Sequence, residues 1–422
     1  MEVKETSAEY LVPQFKRAEA GDIPMDWLET PIGEMADVTS GGTPSRKVPA
    51  FWGGNIPWVT TAELDRGEVM EASQSITTEG LQNSAAKWLP AGTLLIALYG
   101  QGKTRGKCGV LRIAATTNQA CAAIRIANEV DSEFVRHSLT HRYEYIRGLS
   151  NGGSQENLSG AIVKQIRVGM PPTRAEQNAI ASALSDADNL IDSLERLLTK
   201  KRQIKQGAMQ DLLTGKRRLP GFSGHWQPAR FGEAALIDPE NLGSETRRDF
   251  AFNYIALEGV DQGRLTSFTE VRFESAPSRA RRVLRTGDVL VSTVRPNLKS
   301  HLLFETDEGK WIASTGFSVV RSKAGISSPG FLFALLFSSI VEQQVDALLT
   351  GSNYPAINGR DVANLKFASP PFEEQVAIAQ VLSNMDAEIS ALESRLTKAR
   401  ALKQAMAQAL LTGRIRLVGT SA

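Results

Sequence analysis

A segment of 44 residues occurs twice in this chain. Residues 176–219 match residues 374–417 at a constant offset of 198, and 24 of the 44 positions are identical. Glu176-Gln177 through Leu212-Leu213-Thr214-Gly215 returns as Glu374-Gln375 through Leu410-Leu411-Thr412-Gly413, and each copy follows a proline pair, Pro171-Pro172 or Pro370-Pro371. Weaker echoes lie upstream: Trp27 with Gly33-Glu34 parallels Trp226 with Gly232-Glu233, and Leu89 to Leu98 parallels Leu284 to Thr293. A period near 200 residues is far too long for a solenoid unit of roughly 20–50. The chain reads as a duplicated globular domain, each copy followed by a near-identical helix.

Within the repeat the apolar residues Ile180, Leu184, Ala187, Ile191, Leu194 and Leu198 are spaced 4-3-4-3-4, as are Ile378, Leu382, Met385, Ile389, Leu392 and Leu396. This 3.5-residue period is the seam by which one helix winds on another. A Thr-Gly pair ends each copy, as helix C-termini favour. The first helix leaves domain one for domain two, and the second must return, so connectivity predicts an antiparallel coiled coil with pseudo-twofold internal symmetry. About 38 helical residues would span roughly 57 Å at ~1.5 Å each. Lys205 and Lys403 interrupt the seam at matching places and read as side chains snorkelling to water, or as polar register markers. A second stripe, Leu190, Leu197 and Ile204, becomes Glu388, Arg395 and Leu402 in the other copy. It faces either a partner or the chain's own globular domain.

The globular halves read as mixed α and β, which makes the fold class α+β. Short strands are expected at Thr93 to Leu98, Val110 to Ile113, Ala120 to Ile126, Asp288 to Val294 and Phe317 to Val320, separated by Gly, Pro and Asn turns. Each half closes with a glycine-rich turn, Asn151 to Ser154 or Gly351 to Asn353, and then an alternating segment, Ile162 to Val168 or Val362 to Phe367, which predicts a strand.

Composition excludes several classes of function. No apolar run exceeds the seven residues of Phe331 to Phe337, where a membrane span needs roughly 20. Residues 1–20 carry charges of both signs and no signal-peptide core. Two cysteines in 422 residues give no disulfide framework, so the cytoplasm is the expected compartment. With 48 Lys and Arg against 46 Asp and Glu the net charge is only +2. A nucleic-acid surface would therefore have to be local.

Catalytic constellations are missing from the sequence. Gly102-Lys103-Thr104 lacks the glycine five residues earlier that a phosphate loop needs, because Ala97 stands there. Cys108, Cys121, His137 and His141 have zinc-ligand chemistry, but 12 residues separate the two cysteines; two buried thiols and two surface histidines explain them equally well. His225 and His301 have no identifiable partners. There is no nucleophile elbow and no amino-methyltransferase or nuclease motif. No metal or cofactor site is assigned to this chain, and a binding protein is favoured over an enzyme.

The basic residues are clustered. Gln101, Lys103, Thr104, Arg105 and Lys107 follow one strand; Arg295, Asn297 and Lys299 follow the equivalent strand, with Arg279, Arg281 and Arg282 upstream. Two copies of one domain thus carry a cationic, hydrogen-bonding loop at the same place, as contacts to phosphates and base edges require. Thr43, Ser45, Arg46 and Lys47, after the small residues Gly41 and Gly42, form a further candidate DNA-binding loop. Trp52 and Trp58 behind it read as core.

The cluster Gly41-Gly42-Thr43-Pro44 with Ile56-Pro57-Trp58, the segment Tyr99-Gly100 to Gly109 with Thr117-Asn118-Gln119-Ala120, and the twice-repeated Pro-Pro to Glu-Gln to Leu-Leu-Thr-Gly helix together resemble the specificity subunits of Type I restriction-modification systems, over nearly the whole chain. The resemblance implies two target recognition domains, each reading half of a split double-stranded DNA site, held apart by paired helices that bind two methyltransferase subunits. Restriction subunits with translocase activity join that core, so S-adenosylmethionine, ATP and Mg are expected on partners. The implied division is an N-terminal segment 1–20, recognition domain 21–170, helix 171–219, recognition domain 220–369, helix 370–417 and tail 418–422. The second half departs from the pattern, with Asn253-Tyr254-Ile255 in place of Ile56-Pro57-Trp58. A structural adaptor and a DNA-modifying enzyme with an unfamiliar site are the competing readings.

Overall fold

Strand order shows the duplication directly. In a computed structural model, which describes residues 14–100, 103–149, 157–349 and 355–417, the chain forms two units. One holds the described residues up to Ser193 and those from Leu396 onward; the other is Leu194–Arg395. In the first unit Cys121–Ile126 runs antiparallel between Ala36–Ser40 and Leu94–Ala97. In the second, Phe317–Ser322 runs antiparallel between Ala235–Ile237 and Val289–Ser292. All four residues of Leu94–Ala97 and of Val289–Ser292 are buried, which accounts for their continuous apolar runs. A second sheet in each unit pairs one parallel neighbour: Trp52–Val59 lies beside Thr116–Thr117, and Ala251–Ile255 beside Trp311–Ser314. This is a mixed α/β fold, twice.

The ends of each domain are tied together by a two-stranded sheet, Leu28–Pro31 with Arg167–Met170 and Gln227–Arg230 with Lys366–Ser369. Here one expectation fails. The segments Ile162 to Val168 and Val362 to Phe367 are not strands throughout, because Gly160–Gln165 and Gly359–Asn364 are short helices. Ser159 caps the first by accepting from the Ile162 N–H, and Asn358 caps the second by accepting from the Arg360 and Asp361 N–H groups. Val163 with Ile166, and Val362 with Leu365, are buried three residues apart; that helical spacing outweighs the apparent alternation. The glycine-rich turns before these segments lie outside the described residues.

The long helices are Arg174–Leu213 and Phe372–Leu410. Gly215 and Gly413 follow them at φ +71° and +67°, the left-handed region that helix C-termini use and side chains avoid. Of the expected seam residues, Ile180, Leu184, Leu194, Leu198, Ile378, Leu382, Ile389, Leu392 and Leu396 are buried, and Ile191 is half-buried. In the first unit Ile180 and Leu184 share a core with Leu410, Leu411, Trp27 and Phe134. In the second, Leu212 and Leu213 share one with Ile378, Leu382, Phe231 and Phe331. Each core is therefore built from the start of one helix and the end of the other.

Ion pairs set the partnership residue by residue. In the second unit Lys201 pairs with Glu388 at 2.5 Å and Lys205 with Asp386 at 2.5 Å, so the numbers fall along one helix as they rise along the other. In the first unit Lys403 pairs with Asp188. At the repeat offset of 198 these are the same pair in reciprocal copies. The two lysines meet carboxylates, which corrects the expectation that they snorkel to water.

The identical Glu-Gln at each helix start is equally structural. Glu176 and Glu374 are fully buried. Arg218 grips Glu374 with two bonds of 2.6 Å, while Trp226 Nε1 donates to the same carboxylate at 3.2 Å. Arg416 grips Glu176 in the same way and reaches Asp26 at 3.0 Å. These carboxylates hold the Arg416 guanidinium well above its ordinary pKa. Gln177 accepts from the Asp131 N–H at 3.0 Å, and Gln375 from the Ser328 N–H at 3.0 Å, so each amide pins the N-terminus of a domain helix, Ser132–His141 or Pro329–Leu336.

Removing one partner of a buried ion pair costs more than removing the other when only one is unable to reach water. Arg416→Leu strands the Glu176 carboxylate and is expected to destabilise the chain by about 3 kcal/mol. Glu176→Gln leaves Arg416 with Asp26 and solvent, and is expected to cost about half as much. Urea unfolding midpoints of the two variants measure the ordering; equal losses would show that the carboxylate is not the vulnerable partner.

Candidate nucleic-acid interface

Three loops of the first unit converge on Gln119. Thr43 Oγ1 donates to Gln119 Oε1 at 2.5 Å, and Tyr99 Oη donates to the Gln119 carbonyl at 2.8 Å. The Gly42 N–H donates to the Thr117 carbonyl at 2.8 Å. A Cβ on Gly41 would lie 2.1 Å from the Thr117 carbonyl oxygen, and one on Gly42 2.3 Å from the Ala85 backbone. Only glycine permits this approach, which is why two small residues precede the Thr43–Lys47 loop. Exposed on that loop are Thr43, Ser45, Arg46 and Lys47. Lys103 is exposed on the neighbouring loop, its carbonyl accepting from Tyr143 Oη at 2.6 Å.

Other expected residues behave differently. Thr104 and Arg105 are half-buried, and Gln101 lies outside the described residues. Lys107 forms an ion pair with Asp65, so its charge is already partly spent inside the domain. Trp58 is buried as expected, but Trp52 is only half-buried, with the Arg46 guanidinium 3.5 Å from its ring centre.

The second unit repeats the scaffold with other side chains. The Leu98 N–H donates to the Ala120 carbonyl in unit one, and the Thr293 N–H to the Gly316 carbonyl in unit two, at 2.8 and 2.9 Å. Each bond ties the stem of the cationic loop to the turn before the central strand. Arg279 joins that turn through its carbonyl, which accepts from the Thr315 N–H at 2.8 Å. Arg279, Arg295 and Asn297 are exposed. Arg295 and Lys299 flank the turn Pro296–Leu298 at φ +50° and +56°, a conformation that costs a non-glycine residue on the order of 1–3 kcal/mol. His301 supports the base of the turn, its Nδ1 accepting from the Ser292 N–H at 3.1 Å.

Three cations here serve the fold. Arg282 pairs with Asp238 at 2.9 Å and donates to Asn241 Oδ1 at 3.0 Å. Lys299 pairs with Glu342 at 2.9 Å. Arg281 lies 4.9 Å from the Phe273 ring centre. Sequence reasoning did not single out Gln119 as a site residue; its link to Thr43 spans 76 residues, and no periodicity signals such a contact.

The two cysteines sit in different cores, Cys108 with Phe134 and Cys121 with Val59 and Leu64. Burial pushes both thiols up to about 12. His137 is no surface residue: it is buried, and burial with the Arg136 charge pulls it down to about 3, although Asp188 lies 4.0 Å from Nδ1. Among the described residues no three His, Cys, Asp or Glu side chains are grouped to hold a metal. After Lys103 the chain enters the strand Cys108–Leu111, not the helix a phosphate loop needs. Among the described residues no single helix is long and apolar enough to cross a membrane.

The neutral histidines predict a pH profile. His301 is pulled down to about 4 by burial and the Lys299 charge. With native pKa values below the unfolded value of about 6.5, His137 and His301 leave stability intact above pH ~6.5. Each then removes about 1.4 kcal/mol per pH unit as the pH falls towards its folded value. His301→Asn, whose side-chain oxygen can accept from Ser292, is expected to remove the His301 contribution. Urea titrations between pH 7 and 5 check this; an unchanged slope would mean that His301 protonates in the native state.

Comparisons with known proteins give one answer. A family model described as the Type I restriction modification DNA specificity domain matches residues 24–206 and 286–399. The MjaIX specificity subunit of a Type I restriction enzyme from Methanocaldococcus jannaschii is 30% identical over 191 residues, 43% of each chain. The MjaVIII specificity subunit from the same organism is 23% identical over 433 residues, 97% of each chain. Among solved structures, the S subunit of a Type I restriction-modification system from M. genitalium aligns with a TM-score of 0.61 at 15% identity, covering 97% of this chain and 100% of the other. At that identity the likeness speaks for the fold.

Proposed function

This chain belongs to the Type I restriction-modification DNA specificity family, and from that premise we propose that it is the reader of a bipartite double-stranded DNA site. It is a specificity subunit and catalyses neither methylation nor cleavage. One observation carries the two-reader model: two units of the same strand topology each present a cationic loop on an equivalent strand stem. The exposed Thr43, Ser45, Arg46, Lys47 and Lys103 then read one half-site, and Arg279, Arg295 and Asn297 the other. Because these side chains differ, the half-sites differ in sequence.

The long helices form an antiparallel coiled coil with pseudo-twofold symmetry in this reading. The reciprocal pairs Lys205–Asp386 and Lys403–Asp188 and the reciprocal clamps on Glu374 and Glu176 support it. A coiled coil also explains the 3.5-residue seam. Two methyltransferase subunits and the restriction subunits assemble on this scaffold, bringing S-adenosylmethionine, ATP and Mg with them, and the complex acts on DNA in the cytoplasm. The stripe Leu190, Leu197 and Ile204 stays 40–47% exposed, so of its two possible neighbours a partner subunit is favoured over the chain's own domain. A pure adaptor would have no need of two loops built to present cations.

The purified chain is expected to transfer no methyl group, while addition of a separate methyltransferase subunit creates sequence-specific adenine methylation. Lys103→Ala is expected to weaken binding through one half-site and Arg295→Ala through the other. A lost phosphate contact makes the salt dependence shallower by about one unit. Methylation by the chain alone, or native-site methylation unchanged in both variants, would defeat the reading. Leu197→Asp tests the stripe: the chain should fold normally and lose methyltransferase binding in pull-down, and undiminished binding would reject that face.

A further inference from the structure

Arg46 is held unlike the other candidate cations of its unit. Its guanidinium carbon lies 3.5 Å from the Trp52 ring centre and 5.0 Å from that of Trp58, and the two indoles meet edge to face at 5.0 Å. Each indole is fastened to the same loop. Trp52 Nε1 donates to the Ser45 carbonyl at 3.2 Å, and Trp58 Nε1 to the Gly42 carbonyl at 2.9 Å. Thr43 fastens the loop's other side to Gln119. The ion pairs of this unit take, among others, Lys107, Arg112, Arg125, Arg136 and Arg167; among the described residues none takes Arg46, which is exposed.

A phosphate contact asks for none of this. A point charge on a flexible stem satisfies phosphate, and Lys47 and Lys103 supply such charges nearby. A fork of parallel N–H donors directed at two acceptors needs a fixed plane, and stacking on an aromatic face supplies one while leaving the donor edge free. The base edge that matches this fork is guanine in the major groove, through O6 and N7. Holding the long side chain in place beforehand lowers the ordering cost of binding.

We infer that Arg46 is a base-reading residue of the first unit, that its target is guanine, and that Trp52 is its positioning residue. The inference rests on the DNA-reading function proposed above and deepens it. Immediately before the corresponding strand the second unit carries Phe250 with the Lys310 ammonium 4.6 Å from its ring centre. An ammonium has no fork, so the second unit does not repeat this contact at that position.

The test uses the chain assembled with its methyltransferase subunit and a panel of duplexes in which each base pair of the methylated site is varied in turn. Arg46→Lys keeps the charge and loses the fork; it is expected to reduce discrimination about 5- to 150-fold at one G·C pair of one half-site, leaving other positions and the salt dependence unchanged. Trp52→Leu is expected to lose part of the same discrimination, and Trp52→Phe to restore it. Arg46→Lys decides the matter alone if Trp52→Leu does not fold. Full preference retained at every position overturns the inference. So does a uniform loss across all sequences in Arg46→Ala with a salt slope shallower by about one unit, which marks a phosphate contact only. A wild-type complex without sequence preference would instead remove the reader assignment on which the inference stands.

Discussion

A buried carboxylate at the start of each long helix can exist only if a cation is brought to it. Glu176 and Glu374 are sealed from water, and an unpaired charge there would cost several kcal/mol. The cations come from beyond the end of the opposite helix, Arg416 for Glu176 and Arg218 for Glu374. Each clamp therefore requires that the start of one helix and the end of the other meet beside the same domain. The helix pairing within each unit and the composition of both cores follow from that requirement.

From the clamp the constraint passes into the domains. The glutamine next to each buried glutamate caps a domain helix, and the tryptophan stacked near each arginine, Trp27 or Trp226, belongs to or packs on the core of its own unit. The strands Leu94–Ala97 and Val289–Ser292 then lead into the cationic loops on stems tied by equivalent backbone bonds. A rigid frame of repeated residues ends in loops that differ between the two copies.

Much of the scaffold was legible in the sequence because its signals are periodic. The seam positions recur every 3.5 residues, and nine of the twelve named are buried, with Ala187, Ile191 and Met385 half-buried. The core strands were legible as unbroken apolar runs bounded by turns. The segments Ile162 to Val168 and Val362 to Phe367 misled because six residues of helix expose and bury side chains in an order that imitates alternation. The capping by Ser159 and Asn358 was the signal that distinguished them.

What the sequence by itself determined was the duplication, the two helices and the two cationic loops. These depend on patterns within continuous stretches of chain. Only the tertiary structure decided which cations are free to act. Lys107, Arg282 and Lys299 meet carboxylates on other elements, whereas Arg46 meets the face of Trp52. The physical reason is that each of these ion pairs joins residues more than forty positions apart, while the Arg46–Trp52 stack, only six positions apart, forms through the folding of the loop between them. In each case the partner is chosen by strand register and loop packing, and the order of neighbouring residues does not specify it.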